Sequence, residues 1–154
     1  MQEVLTWNWR GRDIQLGYDV RGEGPTVVML PALSSISSRG EMSPISEHLS
    51  SGFRCIAVDL PGFGTLPRPP IAWDPDAYRS FVAFVFERFS TPFCRKAAGH
   101  ECCRRAPRSK SEMQALSELP GISSVELPDG KLGVHEEFAA ETAAVIRRFL
   151  LQAA

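Results

Sequence analysis

A chain of 154 residues, 44% apolar and 23% charged, has material for one hydrophobic core; a compact chain of this size buries roughly 68–70% of its unfolded surface. The formal net charge of −1 gives no electrostatic reason to expect nucleic acid or an anionic membrane as partner. No apolar run reaches the roughly 18 residues needed to span a bilayer, and Met1-Gln-Glu-Val-Leu-Thr-Trp7 lacks a basic stretch followed by an apolar one, so no secretory leader is expected and a cytoplasmic location is the default.

The first predicted elements are two strands, Val4 to Trp9 and Ile14 to Val20, around a tight turn Arg10-Gly-Arg-Asp13. Ile14, Leu16, Tyr18 and Val20 alternate with Asp13, Gln15, Gly17 and Asp19, the period of a half-buried strand. The pair reads as an antiparallel hairpin at the sheet edge, with Trp7 and Trp9 on one face as core or edge cover. After the turn Arg21-Gly-Glu-Gly-Pro25 come two short runs, Thr26 to Leu30 and Cys55 to Asp59, apolar on successive residues as strands covered on both faces are. Between them lie the polar loop Pro31-Ala-Leu-Ser-Ser-Ile-Ser-Ser38 and a helix with Met42, Ile45 and Leu49 at helical spacing and Pro44 in its first turn. Strand, helix and strand make a βαβ unit with parallel strands.

Asp59-Leu-Pro-Gly-Phe-Gly64 follows as a sharp loop in which two glycines let the backbone turn. A proline-rich connector, Leu66 to Ile71, leads to Asp74-Pro-Asp-Ala77, which starts a helix with an N-cap carboxylate and Pro at the first helical position. Tyr78, Phe81, Val82, Val85 and Phe89 mark its buried stripe, widened by Phe84 and Phe86. Beyond a junction, Ser109-Lys-Ser-Glu112 is a capping box opening a helix through Met113, Leu116 and Leu119. A short strand Ser123 to Leu127, a turn Pro128-Asp-Gly130 and an amphipathic helix from Glu137 to Leu151, built on Phe138, Thr142, Val145, Ile146 and Phe149, complete the chain. The expected fold class is α/β: a mostly parallel sheet with an N-terminal antiparallel hairpin and flanking helices. It forms one domain over 1–154, with an N-terminal half 1–93, a disturbed junction 94–111 and a C-terminal strand and helix in 112–154.

The junction is disturbed because Phe93-Cys-Arg-Lys-Ala-Ala98 would set Arg95 and Lys96 on opposite faces of a central strand. An unpaired buried charge there costs several kcal/mol, comparable to a net stability of about 5–15 kcal/mol. This strand is therefore expected at an edge or not formed. Cys55 reads as a small hydrophobe inside its strand. Cys94, His100, Cys102 and Cys103 lack the spacing of a metal site, so neither metal nor cofactor is expected. Arg104, Arg105, Arg108 and Lys110 read as a solvated loop, having no Gly-rich cradle.

Three stretches, Val27-Val-Met-Leu-Pro-Ala-Leu-Ser34, Val58-Asp-Leu-Pro-Gly-Phe-Gly64 and Leu127-Pro-Asp-Gly-Lys-Leu-Gly-Val-His-Glu-Glu-Phe138, resemble the α/β-hydrolase fold family. The resemblance implies that the loop after the first parallel strand supplies backbone N–H groups to an oxyanion hole, which maps to Ala32, Leu33 and Ser34. It also implies a nucleophile in a G-x-S-x-G elbow. At that place Gly99-His-Glu-Cys-Cys103 puts Glu101 at the nucleophile position and Cys103 at the final glycine. The family's Gly-His is replaced by Gly130-Lys131, with Glu136 keeping its acid and His135 four residues past the expected histidine. Only Glu101 to Ser111 stands where the family has several strands and an acid-bearing loop, so the fold is expected to lack its central part.

The implied function is hydrolysis of a small ester-like substrate, with Glu101, His135 and Lys131 as family positions or neighbours. A carboxylate at Glu101 is a feasible nucleophile, whereas Ser34, Ser35, Ser37 and Ser38 read as capping and loop-bonding residues. The alternative is a non-catalytic remnant or interaction protein, whose exposed aromatic helix face would favour self-association.

Overall fold

The computed structural model describes residues 3–33, 36–67, 69, 73–89 and 134–151, with Val134 and His135 as backbone only. The chain divides into two compact units, Met1–Arg95 and Lys96–Ala154. The first contains strands β1 (Glu3–Trp9), β2 (Arg12–Arg21), β3 (Thr26–Met29) and β4 (Arg54–Val58), and helices α1 (Ser43–Leu49) and α2 (Pro75–Phe89). A 3-10 helix, Arg39–Met42, leads directly into α1. In the second unit α3 (Val134–Glu137) and α4 (Ala139–Leu151) are described.

Leu5 and Trp7 of β1 stand opposite Leu16 and Ile14 of β2, so the buried side chains of the hairpin meet across the strands. The turn is tighter than the four residues expected. Arg10 (φ 49°) and Gly11 (φ 78°) close it as a two-residue connection, whose two positive φ values match the twist of the flanking strands. Asn8 braces it, accepting from the Gly11 N–H at 3.2 Å and donating to Asp13 at 2.7 Å.

Ten residues make β2 long enough to serve two neighbours. Its first part pairs with β1 and its last four residues pair antiparallel with β4. β3 pairs parallel with β4, giving the order β1-β2-β4-β3. Among the described residues the sheet is therefore mixed: the expected antiparallel hairpin joins directly onto β4, beside the parallel pair β3 and β4. Strand β4 is buried on both faces, as its unbroken apolar run implies: Cys55, Ile56, Ala57 and Val58 are all buried.

On one face Ile56 and Val58 join Trp7, Ile14, Leu16, Phe81, Val85 and Phe89 in a single cluster, which α2 covers. Ring contacts order it: Trp7 meets Phe81 edge-on at 5.8 Å, stacks on Trp9 at 5.6 Å, and Tyr18 lies 5.3 Å from Phe89. α2 begins where the sequence places it, since the Ala77 N–H donates to the Asp74 carboxylate at 2.8 Å. Phe84 packs at the cluster's margin, but Phe86 is 43% exposed, so the buried stripe is narrower than predicted. Five positions beyond Phe81, at about 100° per residue, Phe86 points well away from the sheet.

The final amphipathic helix is divided. α3 ends at Glu137, Phe138 is a turn, and α4 begins at Ala139 with Ala139, Thr142 and Ala143 as its buried residues. Val145, Ile146 and Phe149 are half-buried. Among the described residues no helix is long and apolar enough to cross a membrane.

Candidate functional site

Two loops leave the carboxyl ends of the parallel pair β3 and β4, where ligands bind in open α/β sheets. The loop after β3 begins with buried Pro31 and then brings Ala32 and Leu33 to the surface, Leu33 being 65% exposed. Among the described residues no acceptor takes the N–H of Ala32 or Leu33. Ile36 is 91% exposed, and the chain then turns inward through buried Ser37 to the 3-10 helix.

The loop after β4 is residues 59–64. The Phe63 N–H donates to the Leu60 carbonyl at 3.0 Å, and Gly62 and Gly64 both have φ 81°. Asp59 is 1% exposed and anchors both loops. Its Oδ1 accepts from the backbone N–H of Arg39 at 2.7 Å, and its Oδ2 pairs with Arg39 Nη1. Arg39, itself 9% exposed, also donates through Nε to Asp19 of β2 at 2.9 Å. The Asp59 N–H donates to the Gly17 carbonyl at 2.9 Å, so β2, the loop after β3 and the loop after β4 converge on one residue.

The surrounding backbone is shaped to this network. A Cβ on Gly17 would lie 2.7 Å from Arg39 Nη1 and 2.8 Å from Asp59 Oδ2, and one on Gly64 would come closer still to Asp59 Oδ2. The last glycine of Asp59-Leu-Pro-Gly-Phe-Gly64 thus serves close approach to a buried ion pair as well as chain reversal. Sequence reasoning missed Arg39, Asp19 and the ionic role of Asp59. The available signal was Gly17 inside a strand, a position that often marks close approach of another group.

Of the sequence-predicted site residues, Ala32 and Leu33 lie together at the end of β3. Ser34, Glu101 and Lys131 fall outside the described residues, as do Cys94, His100, Cys102 and Cys103. His135 lies within helix α3. Among the described residues no group of three His, Cys, Asp or Glu could hold a metal ion. Desolvation pushes the buried Cys55 thiol above its ordinary value, which favours the protonated, unreactive form.

These features define an α/β protein: a mixed four-stranded sheet among the described residues, helix-covered, with two loops pinned at the carboxyl ends of its parallel strands. No protein-family model matches the sequence, and no curated protein does. Among solved structures the chain is similar over part of its length to bromoperoxidase from Bacillus anthracis: 22% identity over 56% of this chain and 31% of that one, TM-score 0.47. A serine hydrolase involved in carbazole degradation, CarC, is 18% identical over 60% of this chain and 35% of its own, TM-score 0.49. A thermophilic esterase from Thermogutta terrifontis is 23% identical over 57% and 32%, TM-score 0.48. The chain thus spans about a third of the length of these structures.

Proposed function

We propose that this protein is an α/β-hydrolase-like hydrolase of a small ester-like substrate, with the loop after β3 receiving the substrate's carbonyl oxygen. The observation that carries this reading is the pair Ala32 and Leu33. Both are exposed at the carboxyl end of a parallel strand, and their N–H groups have no acceptor among the described residues. Preorganised backbone donors of this kind stabilise negative charge that develops on an acyl oxygen. The sequence resemblance supports the same role for this loop. By the same resemblance Glu101 stands at the nucleophile position, and Lys131 and His135 stand at or beside the family's histidine position. A carboxylate nucleophile bonds to the acyl carbon while the ester C–O bond breaks and the alcohol leaves with a proton taken from a general acid. Water then cleaves the acyl anhydride, giving its proton back to that group, now a base, and restoring the carboxylate.

A second reading, a non-catalytic binding protein, is favoured by the composition of the elbow, where Glu101 and Cys103 replace serine and glycine. Its natural partner would be a second copy, through exposed apolar side chains such as Phe86.

A panel of activated short-chain esters, run on the wild type and on Glu101→Ala, Cys102→Ala, Ser34→Ala and His135→Ala, decides between them. Turnover that Glu101→Ala or His135→Ala lowers by about 10²-fold or more supports the first reading. Turnover indifferent to every substitution leaves the second, which size-exclusion chromatography then checks for a dimer.

A further inference from the structure

We infer that Arg39 is a positioning residue that locks the loop after β3 to the loop after β4, holding Ala32 and Leu33 in one presentation toward a ligand. The inference rests on the proposed role of these two residues as acyl-oxygen donors, and adds what fixes them. Three observations converge on it. Arg39 follows the loop directly and is tied to Asp59 twice, through its own backbone N–H and through its guanidinium. Asp59 is the first residue after β4, so the same carboxylate terminates that strand and starts its loop. A further guanidinium donor, Nε, reaches Asp19 of β2, which prevents the arginine from rotating about its bond to Asp59.

The physics favours a lock over a passive filler. An Arg side chain 10% exposed beside a carboxylate 1% exposed has given up most of its hydration, and an arrangement that moved either charge would leave the other buried and unpaired. Gly17 and Gly64 leave no room for the pair to shift sideways, because even a methyl group at either place would overlap the Asp59 carboxylate. The chain is thus fixed at Arg39, close in sequence to Ala32 and Leu33, where catalysis by preorganised donors needs rigidity. Lysine cannot reproduce this arrangement, since a point charge replaces the planar fork that reaches Asp59 and Asp19 together.

The test uses the full chain with Arg39→Lys and Asp19→Asn, the second changing only the half-exposed partner. Backbone amide order parameters of Ala32 and Leu33 are measured by NMR relaxation, alongside kcat and KM for the ester panel. The expected result is a fall from the rigid range, about 0.85, toward about 0.6 at Ala32 and Leu33 in both variants, with β2 and β4 amides unchanged. For a wild type with turnover, kcat drops about tenfold or more while KM changes less, as loss of a transition-state contact requires. Unchanged order parameters at Ala32 and Leu33, or loosening spread equally over β2 and β4, overturn the inference. A wild type without turnover defeats the proposed hydrolysis and leaves the order-parameter result to decide the role of Arg39 separately.

Discussion

At the scale of single residues, two glycines with similar backbone angles separate strain from crowding. A methyl group added at Gly11 (φ 78°) would meet nothing within 4 Å, whereas one at Gly64 (φ 81°) would run into the Asp59 carboxylate. Gly11→Ala should therefore cost only the left-handed penalty of about 1–2 kcal/mol. Gly64→Ala adds displacement of a buried ion pair, and should cost at least about 3 kcal/mol in all. Urea unfolding of the two variants side by side checks the difference. A second residue-scale prediction concerns Tyr18. Its hydroxyl donates to the Glu3 carboxylate, and that bond, then desolvation, then the nearby negative charge, raises its pKa above 10.0. A raised folded pKa means this contribution to stability is complete below the unfolded value near 10 and is lost as pH rises through the folded one. In a Tyr78→Phe background, which leaves Tyr18 as the remaining tyrosine of two, tyrosinate absorbance should appear at higher pH than in a short unstructured tyrosine peptide. Adding Glu3→Gln should move it back toward 10.0.

Elements show which sequence signals are sufficient and which are not. The start of α2 was fully legible, because Asp74-Pro75 combines a side-chain acceptor for the orphan N–H groups with a residue that needs no acceptor. Replacing Asp74 by Ala should lower stability by about 1 kcal/mol, the usual worth of an N-cap. Asp76→Ala should cost less, since its pair with Arg79 is exposed on both sides; thermal melts of the two variants compare them directly. The hairpin was legible as two strands but not in its turn length. Arg10 is no turn-former, and its left-handed φ is offset by a guanidinium that lies 4.7 Å from the Trp9 ring centre. The last helix was legible as an amphipathic run but not as two pieces, because Phe138 has the apolar character that continues the period and carries no breaker. The ionic lock was illegible for a different reason: Asp19 and Asp59 each stand 20 residues from Arg39, on opposite sides, and no local pattern announces pairing at that range.

For the whole molecule, the question is how much of the chain the core needs. Every member of the main hydrophobic cluster, from Leu5 to Phe89, belongs to the first compact unit, and so do both partners of each ion pair in the lock. The sheet there has a strand buried on both faces, a helix covering one side and α1 lying against β4. Phe81, Trp7, Ile56 and Val58 are essentially removed from water, each of the smaller side chains contributing about 1.5–3 kcal/mol. A unit spanning Met1–Arg95 buries somewhat more than the roughly 60% of surface that a 60-residue domain does, and even domains of about 60 residues do fold alone. Residues 1–95, expressed by themselves, should therefore unfold in one cooperative step. The near-ultraviolet circular dichroism that the packed Trp7, Trp9 and Phe81 rings generate should vanish at the same midpoint as the far-ultraviolet signal. Phe81→Ala in that fragment should cost about 3–5 kcal/mol and Phe86→Ala within about 0.5 kcal/mol, because the first empties a buried site and the second trims an exposed one. Non-coincident transitions, or a fragment without near-ultraviolet signal, would show that the core of the first unit depends on residues beyond 95.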